Sequence, residues 1–302
     1  MDIQNIFVVG AGLMGSGIAQ NAIVAGYHVI LNDQRLETLE RAKTGIAKAL
    51  AHDVAKGRMT EEARAEALDR LSLADKLEAA KNADLVIEAI YENAEAKQGV
   101  FAKLEYICPQ HTIFASNTSS ISLTTLASAT KRPDRVVGLH FFSPVPKMRL
   151  CEVICGLLTS QDVLSAIKGV GEKLGKTLIL SDDKPGFIVN RILLPMLNEA
   201  CCAYDCKVGT VEDIDNGMKL GCNHPMGPLE LADMIGLDIL LNVMEVMAEE
   251  YGEKYSSSMI LRKLVRAGYL GRKSGAGFYL YEDGKKSCVN PVLTQERSLA
   301  SC

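Results

Sequence analysis

Two residues of the types that carry out acid–base chemistry lie twelve positions apart in this sequence, His140 and Glu152. Histidine changes charge near neutral pH, so it can take up and release a proton during a reaction. A neighbouring carboxylate fixes the tautomer of such a histidine and stabilises the imidazolium that forms. Glu152 lies in an apolar run that follows a proline-rich turn after His140, so a hairpin-like return would bring the two together. The alternative is a hydrogen-bonded core histidine and a strand glutamate that faces solvent.

Three glycines near the N-terminus give a second chemical signal. The apolar run at residues 6–9 is followed by Gly10, Gly12 and Gly15 and then by a helical pattern. In a dinucleotide-binding turn, the first glycine permits the sharp exit from the strand, the second admits a pyrophosphate, and the third lets the helix pack on the sheet. The N–H groups at the start of the helix would face the phosphates.

An acidic residue supports the same interpretation. Asp33 ends the next apolar run, about twenty residues further on, where a carboxylate can bind an adenosine ribose. A carboxylate there favours NAD over NADP, although Arg35 tempers the preference. The alternative is an ordinary strand-to-helix turn in which Asp33 is a loop carboxylate. With a dinucleotide in place, His140 would remove a hydroxyl proton while a hydride moves to the nicotinamide.

The composition indicates an ordinary globular protein. The chain has 302 residues, of which 48% are hydrophobic and 23% charged, and its net charge is -4. It has no long run of Lys or Arg, so we expect no nucleic-acid partner. No apolar stretch is long enough to span a bilayer and no targeting segment is recognised at the N-terminus, so we expect no membrane association and a cytoplasmic location.

Nine cysteines show no regular disulfide spacing, which predicts reduced thiols. Cys201, Cys202 and Cys206 are close in sequence, but they follow a helical apolar pattern and lack the paired spacing of a zinc site. We therefore expect no metal.

Alternating strand and helix patterns predict the fold. Short apolar runs alternate with helical segments through residue 184, which is typical of a doubly wound, mostly parallel, Rossmann-like sheet. Residues 36–71 form a longer insertion, read as an antiparallel helical pair that breaks at Gly57. The charged turn near residue 184 marks a boundary, so the prediction is a dinucleotide-binding domain at residues 1–184 and an all-α domain at residues 185–302. The basic face of the helical pair, with Lys48, Lys56 and Arg58, is either solvated or holds an anionic group.

Six motifs together make the chain resemble the short-chain L-3-hydroxyacyl-CoA dehydrogenases, and most closely the bacterial 3-hydroxybutyryl-CoA dehydrogenases. The resemblance covers about residues 3–281. The motifs are Gly10-Ala11-Gly12-Leu13-Met14-Gly15, Ala115-Ser116-Asn117-Thr118-Ser119-Ser120, His140-Phe141-Phe142, Pro185-Gly186-Phe187-Ile188-Val189-Asn190-Arg191, His224-Pro225-Met226-Gly227-Pro228, and the segment at residues 271–279.

The resemblance implies NAD-dependent interconversion of (S)-3-hydroxybutyryl-CoA and acetoacetyl-CoA, in butyrate or fatty-acid metabolism. His140 would be the general base or acid and Glu152 its orienting partner, while Ser119 and Asn190 would contact the acyl group and its reacting oxygen. The implied cofactor residues are Gly10, Gly12, Leu13, Met14, Gly15, Asp33, Glu92, Lys97, Asn117, Ser119, Ser143 and Lys273. Lys48, Lys56 and Arg58, with Ser119 and Asn190, would bind the CoA substrate. The resemblance also implies a homodimer formed through the helical domain.

One departure from the family pattern is Ser143, which stands where the family usually has asparagine after the two phenylalanines. A shorter hydroxyl side chain there would weaken a contact near the cofactor or make it through water.

Two other functions would also fit parts of the sequence. A 3-hydroxyisobutyrate-type dehydrogenase shares the glycine-rich opening but uses a lysine base, and a non-catalytic NAD-binding sensor or structural protein would bind NAD without turnover.

Overall fold

The computed structural model describes residues 2–294 and divides into two compact units, one ending at Phe187 and one beginning at Ile188. The first unit contains an eight-stranded sheet in the order β3-β2-β1-β4-β5-β6-β7-β8. All its neighbouring strands are parallel except β6 and β7. The strands are β1 Asn5–Val9, β2 His28–Asn32, β3 Leu71–Ala74, β4 Leu85–Glu88, β5 Ile113–Ser116, β6 Val136–Phe141, β7 Leu150–Cys155 and β8 Thr177–Asp182.

Helices connect the strands and cover both faces of this sheet. They are α1 Leu13–Val24, α2 Leu36–Ala55, α3 Glu61–Asp69, α4 Ala94–Ile107, α5 Leu123–Ala127 and α6 Gln161–Lys173. One buried cluster includes Ile18 of α1, Leu39 of α2 and Ile167 of α6. A second cluster includes Phe101 of α4 and Leu126 of α5. This arrangement confirms the predicted doubly wound, mostly parallel sheet.

The predicted helical pair is α2 and α3. Gly57 follows α2 with a φ of +66°, a left-handed conformation that glycine adopts without steric penalty and that ends the helix. Thr60 then caps α3, because its hydroxyl oxygen accepts a hydrogen bond from the Ala63 N–H at 3.2 Å.

Strand β3 was not predicted from the sequence. It lies at the edge of the sheet beside β2 and contains only four residues, none of them fully buried. Its Leu-Ser-Leu-Ala sequence therefore lacks the continuous apolar run that marks the buried strands.

The second unit is helical, as predicted, and also carries a short hairpin. Its helices are α7 Val189–Asp205, α8 Val211–Gly221, α9 Pro228–Ile235, α10 Leu237–Tyr251 and α11 Met259–Arg266. The hairpin is formed by the antiparallel strands β9 Tyr279–Glu282 and β10 Lys285–Val289. The all-α expectation did not include it.

A buried carboxylate joins this hairpin to α9. Asp233 accepts hydrogen bonds from the N–H groups of Phe278 and Tyr279, both at 2.9 Å, and from the Tyr281 hydroxyl at 3.2 Å. Burial raises the pKa of Asp233 to about 6, although these donors favour the ionised form. The tail of the unit is thus fixed by hydrogen bonds to a carboxylate that is fully removed from solvent.

Candidate active site

The turn between β1 and α1 depends on two glycines. Gly10 has a φ of +98°, and a Cβ there would lie 2.6 Å from the carbonyl oxygen of Ala89. A Cβ on Gly15 would lie 1.7 Å from the carbonyl oxygen of Gly10. A larger residue at Gly10 would push the turn away from the segment that follows β4, and a larger residue at Gly15 would push α1 away from the turn, as the fingerprint interpretation requires.

Gly12 differs from both, because a Cβ at this position would meet no protein atom within 4 Å. Gly12 lies between two clefts and lines each of them. Its lack of a side chain leaves space beside the N-terminus of α1, where N–H groups without intrahelical partners attract phosphate. Leu13 and Met14 form the first turn of this helix, with Leu13 exposed and Met14 packed against the core.

Asp33 stands at the carboxyl end of β2 and lines the first cleft, which has a volume of about 1110 Å³. Its carboxylate accepts hydrogen bonds from the Ala11 N–H at 3.1 Å and the Arg35 N–H at 3.0 Å. It is thereby held next to the glycine turn and remains partly accessible. The positions of Asp33 and Gly12 fit a dinucleotide whose adenosine ribose lies at Asp33 and whose phosphates lie at Gly12.

The second cleft, of about 1080 Å³, is bounded by α1, α2 and the loop after β6. Its lining is basic and includes Arg41, His52, Lys56, Arg58 and Lys147. Ser143 also lines this cleft and is exposed.

Lys48 is exposed but does not line the second cleft. Four residues of α2 and its C-terminal end line the cleft at spacings of three or four residues, namely Gly45, Ala49, His52 and Lys56. Lys48 is three residues from Gly45 and four from His52, so it lies at the border of this face of α2, outside the residues that line the cleft. Of the three basic residues that the sequence analysis grouped, Lys56 and Arg58 line the cleft and Lys48 does not.

Lys97 is buried between two carboxylates. Its ammonium group lies 2.7 Å from Glu88 Oε1 and 3.3 Å from Glu92 Oε2, and only 1% of its side chain is exposed. Glu88 is fully buried and also accepts hydrogen bonds from the Ser116 hydroxyl and the Ile90 N–H. Lys97 therefore lies beneath the loops at this edge of the sheet and supports them through Glu92.

Glu92 holds the loop after β5. Its Oε1 accepts hydrogen bonds from the Thr118 hydroxyl at 2.6 Å and the Ser119 N–H at 2.9 Å. Partial burial would raise the pKa of Glu92, but the ammonium of Lys97 and these hydrogen bonds outweigh it and lower the pKa below its ordinary value. Glu92 is therefore ionised at neutral pH, and it fixes Ser119 at the carboxyl edge of the sheet.

Asn117 connects this loop to the strand that carries His140. Its side-chain oxygen accepts a hydrogen bond from the Phe141 N–H at 2.9 Å, and its own N–H donates to the Glu88 carbonyl oxygen at 2.8 Å. The backbone beside His140 is therefore tied to the loop that contains Ser119.

His140 and Glu152 form a buried pair. They are directly opposite in the antiparallel register of β6 and β7, so their side chains lie on the same face of the sheet. His140 Nδ1 lies 2.7 Å from Glu152 Oε2, and the two side chains are 9% and 0% exposed. With the Nδ1 proton donated to the carboxylate, Nε2 of the neutral ring is left as a proton acceptor.

Two of the predicted site residues belong to the second unit. Asn190 is the second residue of α7, and Lys273 lies in the short turn before the hairpin. The Lys273 ammonium donates a hydrogen bond to Asp238 at 2.6 Å.

Residues 5–184 match the family model described as 3-hydroxyacyl-CoA dehydrogenase, NAD binding domain, and residues 186–281 match that of the C-terminal domain. The chain belongs to the 3-hydroxyacyl-CoA dehydrogenase family.

Individual members of this family are similar to the chain over nearly its whole length. It is 51% identical to a probable 3-hydroxybutyryl-CoA dehydrogenase of Bacillus subtilis over 94% of this chain and 99% of that protein. It is 43% identical to the human mitochondrial hydroxyacyl-coenzyme A dehydrogenase, over 93% and 92%. The crystal structure of (S)-3-hydroxybutyryl-CoA dehydrogenase from Ralstonia eutropha superimposes with a TM-score of 0.91 at 46% identity, covering 93% and 100%.

Membership of the 3-hydroxyacyl-CoA dehydrogenase family confirms the resemblance found in the sequence and the NAD-binding nature of the first unit. It also decides between the two dehydrogenase types considered, against the 3-hydroxyisobutyrate type. Among residues 2–294, no helix is both long and apolar enough to cross a bilayer, and no group of three or more His, Cys, Asp or Glu side chains could hold a metal ion.

The cysteines are unpaired thiols in the part of the chain that the structure describes. Burial raises the pKa of Cys108 to about 11 and that of Cys151 to about 12, so both remain protonated at neutral pH. Cys201 is fully buried, which fits core packing.

Sequence reasoning missed Glu88 and Phe187. Glu88 ends the apolar run at residues 85–88, and the argument that a buried carboxylate needs a partner, which was applied to Glu152, applies equally to Glu88. Phe187 was noted only as part of a motif. Its ring lies 5.8 Å from the His140 ring, a contact that no sequence pattern indicates.

Proposed function

We propose that this chain is an NAD-dependent 3-hydroxybutyryl-CoA dehydrogenase that interconverts (S)-3-hydroxybutyryl-CoA and acetoacetyl-CoA. The observation that carries the proposal is the buried His140–Glu152 pair beside the loop that contains Ser119. The names of the relatives supply the substrate class.

His140 handles the proton. In the oxidation direction, its Nε2 removes the proton of the 3-hydroxyl, and the ring becomes an imidazolium. Glu152 accepts the Nδ1–H, which keeps the ring in the required tautomer and stabilises the positive charge as it develops. In the reduction direction, the imidazolium returns the proton to the 3-keto oxygen.

Several residues of the first unit would hold the cofactor. NAD bound there would supply the acceptor for the hydride that leaves carbon 3, and NADH would supply the hydride in the reverse direction. Asp33 would accept hydrogen bonds from the adenosine ribose, and the N-terminus of α1 at Gly12 would bind the phosphates. Glu92 and Asn117 hold the loop that would face the nicotinamide, with Lys97 keeping Glu92 in place. Ser143 and Lys273 remain proposed cofactor contacts on the strength of the family resemblance.

Ser119 and Asn190 are proposed to bind the acyl part of the substrate, with Ser119 donating a hydrogen bond to the reacting oxygen. Glu92 supports this role because its hydrogen bond from the Ser119 N–H fixes the backbone of that residue. Substituting Ser119 or Asn190 with alanine should lower kcat, and wild-type kcat in both variants would refute the assignment.

The basic second cleft is proposed to bind the phosphates of CoA through Lys56 and Arg58. The Lys56→Ala variant should raise KM for acetoacetyl-CoA about fivefold at low salt and less at high salt, since the contact is charge-assisted and partly exposed. Lys43→Ala is a matched control, because Lys43 is an exposed lysine of α2 that does not line the cleft. Equal effects of the two substitutions would contradict the proposal. Lys48 also lies outside the cleft, so Lys48→Ala should resemble the control.

The helical unit is proposed to form a homodimer. Exposed apolar side chains, including Ile192 at 67% and Met259 at 55%, are consistent with a covered surface on this unit. Sedimentation equilibrium would test it, and a mass of one chain at micromolar concentration would refute it.

The reaction itself is tested by following NADH or NADPH absorbance after mixing the protein with acetoacetyl-CoA. We expect rapid oxidation of NADH and slower oxidation of NADPH. Binding of NADH without its oxidation would instead favour the non-catalytic sensor.

A further inference from the structure

Phe187 has an unusual backbone conformation for a buried aromatic residue. Its φ is +49°, and the preceding Gly186 has a φ of +82°. Left-handed φ is a steric outlier for a bulky side chain and carries a free-energy penalty that surrounding contacts must offset. The Phe187 side chain is only 5% exposed, so this conformation directs the ring into the interior of the first unit.

The ring of Phe187 packs against the imidazole of His140. Their centroids are 5.8 Å apart at an interplanar angle of 60°, while Phe142 contacts the same imidazole at 4.6 Å and 52°. These values lie within the range of favourable tilted aromatic contacts. His140 is therefore bordered by two aromatic rings as well as by the carboxylate of Glu152.

We propose that Phe187 is a positioning residue for His140, which the strained turn at Gly186 and Phe187 places against the imidazole. The proposal rests on the proposed function, in which His140 is the proton-transfer group. The ring limits rotation of the imidazole about its bond to Cβ, so Nε2 stays directed toward the substrate. Its π face also stabilises the imidazolium that forms when His140 takes up a proton.

A purely structural role is the competing explanation. Phe187 belongs to the same buried apolar cluster as Phe101, which stacks on Phe114 at 5.5 Å. Loss of any buried phenylalanine ring destabilises a core. Phe101→Leu therefore provides a matched control, since it makes the same change in the same cluster, and Phe101 contacts Phe114 rather than His140.

The experiment compares steady-state kinetics of Phe187→Leu, Phe187→Met and Phe101→Leu with thermal denaturation of each. Both Phe187 variants should lower kcat about tenfold while KM for acetoacetyl-CoA and the Kd for NADH stay near wild type, as expected for loss of one aromatic contact to the reacting group. Phe101→Leu should lower Tm and leave kcat near wild type. The proposal would be overturned if Phe101→Leu lowered kcat as much as the two Phe187 variants do, or if both Phe187 variants failed to fold.

A double-mutant comparison separates this inference from the proposed function. In the His140→Ala background, Phe187→Leu should change the residual turnover by less than about twofold, because the group that it positions is gone. A further tenfold loss in that background would refute the positioning role. Wild-type turnover of His140→Ala would instead refute the proposed function itself, whatever the Phe187 variants do.

Discussion

Removing the charge of Glu152 tests the proposed proton-transfer role of the His140–Glu152 pair most specifically. Glu152→Gln keeps the shape of the side chain and an oxygen that can accept the Nδ1–H of His140, but removes the negative charge. The His140 ring would keep its hydrogen bond and lose the stabilisation of its imidazolium form.

The expected loss follows from the geometry of the pair. Two unit charges 2.7 Å apart attract by about 6 kcal/mol at an effective dielectric constant of about 20. If roughly half of the positive charge has developed in the transition state, the barrier rises by about 3 kcal/mol, which lowers kcat about 100-fold.

The assay is NAD reduction with (S)-3-hydroxybutyryl-CoA, together with the Kd for NADH from fluorescence. Glu105→Gln is a suitable control, because Glu105 is also a buried carboxylate and pairs with Arg132 at 3.1 Å. We expect Glu105→Gln to lower stability and keep kcat. A Glu152→Gln variant with wild-type kcat would refute the stabilisation of an imidazolium by this carboxylate.

Two further predictions concern other carboxylates. Asp33→Ala should lower kcat/KM for NAD about 10- to 100-fold and affect NADP less, since it would remove the charge-assisted hydrogen bonds that we propose to the ribose. An unchanged ratio of NAD to NADP activity would contradict the ribose assignment. Burial raises the pKa of Asp233 to about 6 in the folded protein, above its ordinary value of 3.8. The folded protein therefore binds this proton more tightly than the unfolded chain does, and it loses stability as the pH rises through this interval. Urea unfolding should therefore show wild type losing about 2 kcal/mol relative to Asp233→Asn between pH 4 and pH 7, and parallel pH profiles of the two proteins would contradict this.

The parallel sheet could be predicted because buried strands leave a strong signal. The apolar run at residues 27–33 became β2 at His28–Asn32, and the run at residues 135–141 became β6 at Val136–Phe141. The hairpin strand β10 was missed because its residues are largely exposed and include two lysines, so its sequence lacks the pattern of a buried strand.

Residues of the candidate site could be predicted from the sequence where one chemical requirement explains the residue type at that position. A glutamate within an apolar run needs a partner, and Glu152 lies beside His140. The absence of Lys48 from the cleft could not have been found from helical phase, because Lys48 is seven residues from Arg41 and four from His52, and both of these line the cleft. The contact of Phe187 with His140 could not have been found, because it depends on a left-handed backbone at a non-glycine residue.

The most direct test of the central claim is the rate of NADH oxidation by acetoacetyl-CoA in a single turnover, measured for wild type and His140→Ala at equal NADH saturation. If His140 transfers the proton, the rate falls by several orders of magnitude while the Kd for NADH is unchanged. A His140→Ala variant that binds NADH normally and turns over at the wild-type rate would contradict the claim.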